Sequence, residues 1–165
     1  MQPTASTYAT RTTTRLLDAL HDRENEPAWA QIDSRYRPVI AGLARRLGLT
    51  EADADEVAQR TLGEFVRAYR ENKYDRTKGR LSSWILGIAQ RTALKVHRES
   101  RRAGPMDPAM LSEAPDERTL RSIWSDERDR SILSRAMDLL RDESSMDDRT
   151  LLAFELVAIR GVPAR

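Results

Sequence analysis

From Trp29 onward, apolar positions return at intervals of three and four residues, the spacing that lines one face of a helix. Trp29, Ile32, Tyr36, Ile40, Leu43 and Leu47 make a first stripe, on a helix predicted to end near Gly48. Pro27 falls where a first helical turn tolerates it, and Pro38 lies inside the pattern, which predicts a kink around Arg35. Thr50, with Asp53 three residues on, has the form of a helix cap. Behind it Ala54, Val57, Ala58, Thr61, Leu62, Phe65 and Tyr69 form a second stripe. The opposite face of that helix holds Asp53, Asp55, Glu56, Gln59, Arg60 and Glu64. Residues 72–79 read as a loop. Leu81, Trp84, Ile85, Ile88 and Thr92 then mark a third stripe, with Ser82 or Ser83 available as its cap. No two-residue alternation competes, so the predicted fold is all-α.

The breaks in the pattern divide the chain. Residues 1–14 are rich in Thr and Ser with little to bury, which predicts a disordered tail. Residues 15–102 form one helical domain, with Arg15 to His21 as a short opening helix. Residues 103–119 hold Gly104, Pro105, Pro108 and Pro115 and read as a linker. A second, smaller module spans 120–165. Its first helix carries Ile123, Ile132, Leu133, Ala136, Met137 and Leu140 and runs to Arg141. After the turn ESSMDD a further helix covers Leu151 to Ile159, closed by Gly161 and Pro163.

Charge changes the picture in one place. The 165 residues carry 28 Lys and Arg against 26 Asp and Glu, a net +2. Between Arg76 and Arg102, however, eight bases (Arg76, Lys78, Arg80, Arg91, Lys95, Arg98, Arg101 and Arg102) face one acid, Glu99. Residues 103–165 lean the other way, with nine bases and thirteen acids. A basic centre of this density fits a phosphate backbone. The blander reading of the acidic face on the second helix is a solvated surface.

Other chemistry is thin. There is no cysteine, hence no disulfide or thiolate metal site, and His21 and His97 stand far apart, so no metal or cofactor site is expected. No Gly-rich phosphate loop or nucleophile elbow occurs. Acid pairs such as Asp53/Asp55 and Asp147/Asp148 have the ordinary look of exposed helix and turn acids. The expectation is a protein that binds rather than catalyses. Neither a signal peptide core nor a membrane-length apolar run is present, so the reading is a cytoplasmic protein without membrane insertion.

With these residues in place, DADEVAQRTLGEFVRAYR followed by LSSWILGIAQRTALKVHRESRR resembles the second conserved region of sigma-70 factors, in particular the small extracytoplasmic-function (ECF) class. AWAQIDSRYRPVIAGLARRLGL looks like the helix preceding that region. IWSDERDRSILSRAMDLLRD and LLAFELVAIRGVPAR resemble the start of the family's C-terminal domain, region 4. The resemblance implies a sigma factor that binds core RNA polymerase and directs opening of the minus-ten element. The acidic helix face would dock on the β′ clamp helices through Asp53, Asp55, Glu56, Gln59 and Arg60. Loop and basic helix would hold the non-template promoter strand through Lys73, Tyr74, Arg76, Lys78, Arg80, Ser83, Trp84, Arg91, Lys95, Arg98, Arg101 and Arg102. Tyr74 fits two roles, stacking on a base or packing under the loop, whereas Trp84 lies on the apolar stripe. An anti-sigma partner is also implied.

Two departures bear on promoter choice. Arg91 stands where the family usually has Asn, and Lys95 where it usually has Asp, so base preferences do not carry over. After Gly161-Val162-Pro163 the family continues into a helix-turn-helix whose recognition helix is absent here, which reads as a truncation. The alternative is a sigma-like adaptor that occupies polymerase or an anti-sigma protein without starting transcription.

Overall fold

The structure, a computed structural model, describes residues 14–22, 24–103, 115–143, 148–154 and 156. Among the described residues six helices follow in order: α1 (Thr14–Ala19), α2 (Glu26–Arg46), α3 (Glu51–Arg70), α4 (Leu81–Ala103), α5 (Glu117–Glu143) and α6 (Asp148–Phe154). The described residues contain helices and turns and no strand, the all-α fold read from the pattern. The predicted tail up to residue 13, the central part of the linker at 104–114 and the closure at Gly161 and Pro163 lie outside the described residues.

Caps explain where the helices begin and end. Asn25 caps α2, its side-chain oxygen accepting the Ala28 N–H at 3.1 Å, and Pro27 sits in the first turn. The helix continues through Pro38, which is exposed. It stops at Gly48, whose φ of +84° suits a residue without Cβ. Gly48 N–H then donates to Arg45 O and Leu49 N–H to Ala44 O, the paired bonds of a Schellman ending. The same device closes α3: Asn72 sits at φ +56°, donating to Tyr69 O, and Lys73 donates to Ala68 O. Thr50 caps α3 as predicted, its Oγ1 accepting the Asp53 N–H at 3.2 Å and donating to Asp53 Oδ2 at 2.9 Å. At α4 the cap differs from expectation. Buried Leu81 takes the first helical position, so Arg80 O accepts from Ser83 and Trp84 N–H, and both serines lie inside the first turn.

Helices α2, α3 and α4 pack around Ile32, Val39, Ile40, Leu43, Val57, Phe65, Ile85, Ile88 and Val96, all fully buried. Opposite ends of α3 and α4 meet: Asp53 contacts Ser100, Arg60 contacts Glu99, and Phe65 contacts Trp84, so the two run antiparallel. α1 closes one end through Leu17, with Leu20 buried in the turn after it, and is held by the Tyr69 hydroxyl donating to Leu17 O at 2.8 Å.

One compact unit ends at Asp129 and a second begins at Arg130. The division therefore falls some ten residues beyond the predicted start of the second module. Leu120, Ile123 and Trp124 on α5 are buried with the core of the first unit, and the Trp124 ring stacks on Tyr36 at 6.3 Å. The stripe expected on this helix starts too late, because Leu120 and Trp124 carry it at its beginning. Within the second unit Met137 is buried, while Leu133 and Leu140, placed on the same stripe, are each 37 % exposed. Among the described residues no helix is long and apolar enough to cross a membrane.

Candidate functional site

The acidic face of α3 separates into two kinds of residue. Asp53 is half-buried and committed: Oδ2 takes the Thr50 hydroxyl and Oδ1 takes the Ser100 hydroxyl of α4 at 2.9 Å. It is a brace between the start of α3 and the end of α4. Arg60 braces the same pair of helices, reaching Glu56 at 2.5 Å and Glu99 on α4 at 2.7 Å. Hydrogen bonds to Glu99 and then Glu56 raise its pKa further. Glu99, the one acid of the basic stretch, is thus used within the fold. Asp55, Glu56 and Gln59 are exposed.

Between α3 and α4 the loop is held by its own side chains. The Tyr74 ring packs at 6.0 Å from Tyr69 and 5.2 Å from Trp84, and its hydroxyl donates to Gly79 O at 3.1 Å. Burial raises its pKa. Of the two roles open to Tyr74, this packing fills the one under the loop. Trp84 lies edge-on to Phe65 at 5.7 Å, partly buried against the core. Asp75 accepts from the Thr77 hydroxyl at 2.6 Å and the Thr77 N–H at 2.9 Å, and these bonds hold its carboxyl below the usual range. A carboxyl depressed in the folded state contributes above its unfolded pKa and loses that contribution as pH falls through the folded value. Protection of the Thr77 amide against exchange is accordingly expected to drop in acid, below the ordinary Asp range, while the helical amides of α4 keep theirs. An Asp75→Ala chain is expected to lack this protection at neutral pH.

Of the predicted basic residues, Arg76, Lys78, Arg80, Lys95 and Arg98 are exposed, with Lys78 3.7 Å from Asp75. Lys73 pairs with Glu71 at 2.6 Å. Arg91 is exposed and lies 3.7 Å from Glu64 of α3. Arg91, Lys95 and Arg98 follow at four and three residues, so they share one line along α4. Ser83 is exposed in the first turn of α4. The side chains of Arg101 and Arg102 lie outside the described residues.

A groove runs between α2 and α3, with a volume of about 920 Å³. Its floor is Trp29, Ile32, Leu62 and Val66, and its rim carries Glu24, Glu26, Asp33, Arg37, Gln59 and Arg70. The Arg70 guanidinium stands 5.2 Å from the Trp29 ring centroid. Arg37 is pinned by Asp33 at 2.6 Å, which raises its pKa. The sequence places Trp29, Ile32 and Leu62 on apolar stripes and singles out Gln59 for binding, but does not join them into a groove, because neighbours across two helices leave no spacing signal in either one. The pairings of Glu64 with Arg91, Glu99 with Arg60 and Ser100 with Asp53 are hidden in the sequence for the same reason. Among the described residues no cluster of acids and histidines is placed to hold a metal ion.

The Sigma-70 region 2 family matches residues 32–103, which begin within α2 and end with α4. The ECF RNA polymerase sigma factor RpoE of Cereibacter sphaeroides is 24 % identical over 92 residues, covering 56 % of this chain and 50 % of that protein. The chain thus matches about half the length of this curated relative. No solved structure matches. The family match covers α3, the loop and α4 entire, and the relative is itself an ECF factor. Over residues 32–103 the chain is thus similar to sigma-70 region 2, and over 92 residues to a sigma factor of the ECF type.

Proposed function

We propose that the chain acts in transcription initiation as an ECF sigma factor, binding core RNA polymerase and engaging the minus-ten element as it opens. The observation that carries this reading is the partition of charge between two antiparallel neighbours. α3 exposes Asp55, Glu56 and Gln59, while α4 exposes Arg91, Lys95 and Arg98 on one line behind a braced loop. The α3 face suits a partner rich in arginine, which the β′ clamp helices supply, through charge-assisted hydrogen bonds. The α4 line suits the backbone of the non-template strand, to which it contributes affinity and salt dependence. Arg76, Lys78 and Arg80 on the loop extend that positive surface towards bases leaving the stack, whose unstacking costs a few kcal/mol that protein contacts offset. Asp53 and Arg60 support both surfaces from within by fixing α3 against α4. An anti-sigma protein competing for the α3 face is part of the same reading.

The direct test is transcription in vitro from a pool of genomic fragments with core polymerase, with and without the chain. Defined start sites that depend on the chain are expected. Polymerase binding with no chain-dependent start site would instead favour an adaptor.

A further inference from the structure

The leading turns of α5 meet α2 in an unusual way. Trp124 stacks on Tyr36, Arg46 lies 3.7 Å from Asp126, and Leu120 and Ile123 are buried in the same core. At the centre stands Gly42, buried on α2, with the Glu127 side chain laid across it. A Cβ at position 42 would come within 2.8 Å of Glu127 Cδ and 3.0 Å of Cγ, and closer still to Oε2. Such separations force a shift, and Glu127 is itself only 6 % exposed, so its carboxylate has little room to swing away. Glu127 reaches the α2 backbone because position 42 has no side chain. These α2 residues lie outside the groove described above, and the family match ends at residue 103, before α5 begins.

We propose that α2 carries a helix-binding notch centred on Gly42, and that its occupant is residues 117–129 of the same chain. The segment is a cis ligand of the region 2 domain, seated by Trp124 and Glu127, and it stays bound without the covalent connection through residues 104–114. The inference is independent of promoter and polymerase binding.

The test uses the whole chain carrying a protease site engineered into residues 104–114. After cutting, the two pieces are expected to elute together at micromolar concentration. In Trp124→Ala and in Gly42→Ala they are expected to separate under the same conditions, a loss of tenfold or more in retention. Adding Glu127→Ala to Gly42→Ala removes the atoms that the new methyl meets and is expected to restore co-elution at least in part. Each variant is first checked, uncut, for a cooperative thermal transition and native near-ultraviolet dichroism. Separation of the wild-type pieces overturns the proposal, and so does co-elution that neither Trp124→Ala nor Gly42→Ala weakens.

Discussion

Phe65→Ala is expected to remove a large share of the stability of the first unit. The ring is completely buried and is met by three others: Trp29 at 6.2 Å, Tyr69 at 5.7 Å and Trp84 at 5.7 Å. Truncating a buried Phe costs about 3–5 kcal/mol, from lost transfer energy and the cavity left behind. Domains of this size hold roughly 5–15 kcal/mol in all. The cavity cannot collapse easily, because Trp29, Tyr69 and Trp84 come from three different helices, each fixed elsewhere. Tyr69 is tied to Leu17 O and also packs against Tyr74, so the loss spreads to α1 and the loop. Urea denaturation should show a lowered midpoint with little change in slope, and near-ultraviolet dichroism should weaken even in the folded baseline. Phe154→Ala, at a position 49 % exposed, is expected to stay within about 0.5 kcal/mol of wild type. A loss below about 1 kcal/mol at Phe65 would show that this aromatic cluster is not the centre of the core.

Lys95→Glu with Arg98→Glu is expected to abolish most promoter engagement while leaving the fold intact. Both side chains are exposed on one line of α4, and neither is among the residues that brace the helix. Each phosphate neutralised on a single strand contributes about 0.7 to the slope of log affinity against log salt. Reversing two charges therefore lowers that slope and turns attraction into repulsion. In chain-dependent transcription this amounts to a loss on the order of tenfold to a hundredfold at moderate salt. Arg91→Ala is expected to cost less, because Arg91 already lies against Glu64. By the same logic Glu64→Gln frees Arg91 and is expected to strengthen binding. If the double reversal leaves initiation unchanged, the line on α4 is not a strand-binding surface.

The fold was legible in the sequence wherever one helix recorded its own surroundings. The stripes of α2, α3 and α4 fall on buried or partly buried positions, though they leave out the buried Val39, Ala89 and Val96, and the Thr50 cap and the Gly48 ending follow from local chemistry alone. The start of α5 was misread because its apolar positions, Leu120 and Trp124, sit among charges beside a Pro-rich stretch. Trp124 stacks on Tyr36, and that partner lies almost ninety residues away in the sequence. The roles of Asp53 and Arg60 were hidden for a related reason. A carboxylate or guanidinium on an exposed-looking face reads the same whether it meets solvent or crosses to Ser100 or Glu99 on the neighbouring helix. Tyr74 left two roles open, and the stacking on Tyr69 and Trp84 depends on where the loop returns to α4.

Binding of the chain to core RNA polymerase, wild type beside an Asp55→Ala/Gln59→Ala variant, bears most directly on the sigma assignment. These two residues are exposed and stand outside the braces formed by Asp53 and Arg60, so the substitution leaves α3 and α4 joined. The wild type is expected to bind, and the variant to lose tenfold or more in affinity, as when a central interface contact is truncated. Equal binding by both proteins would move the dock away from the α3 face. Failure of the wild type to bind would contradict the sigma function itself.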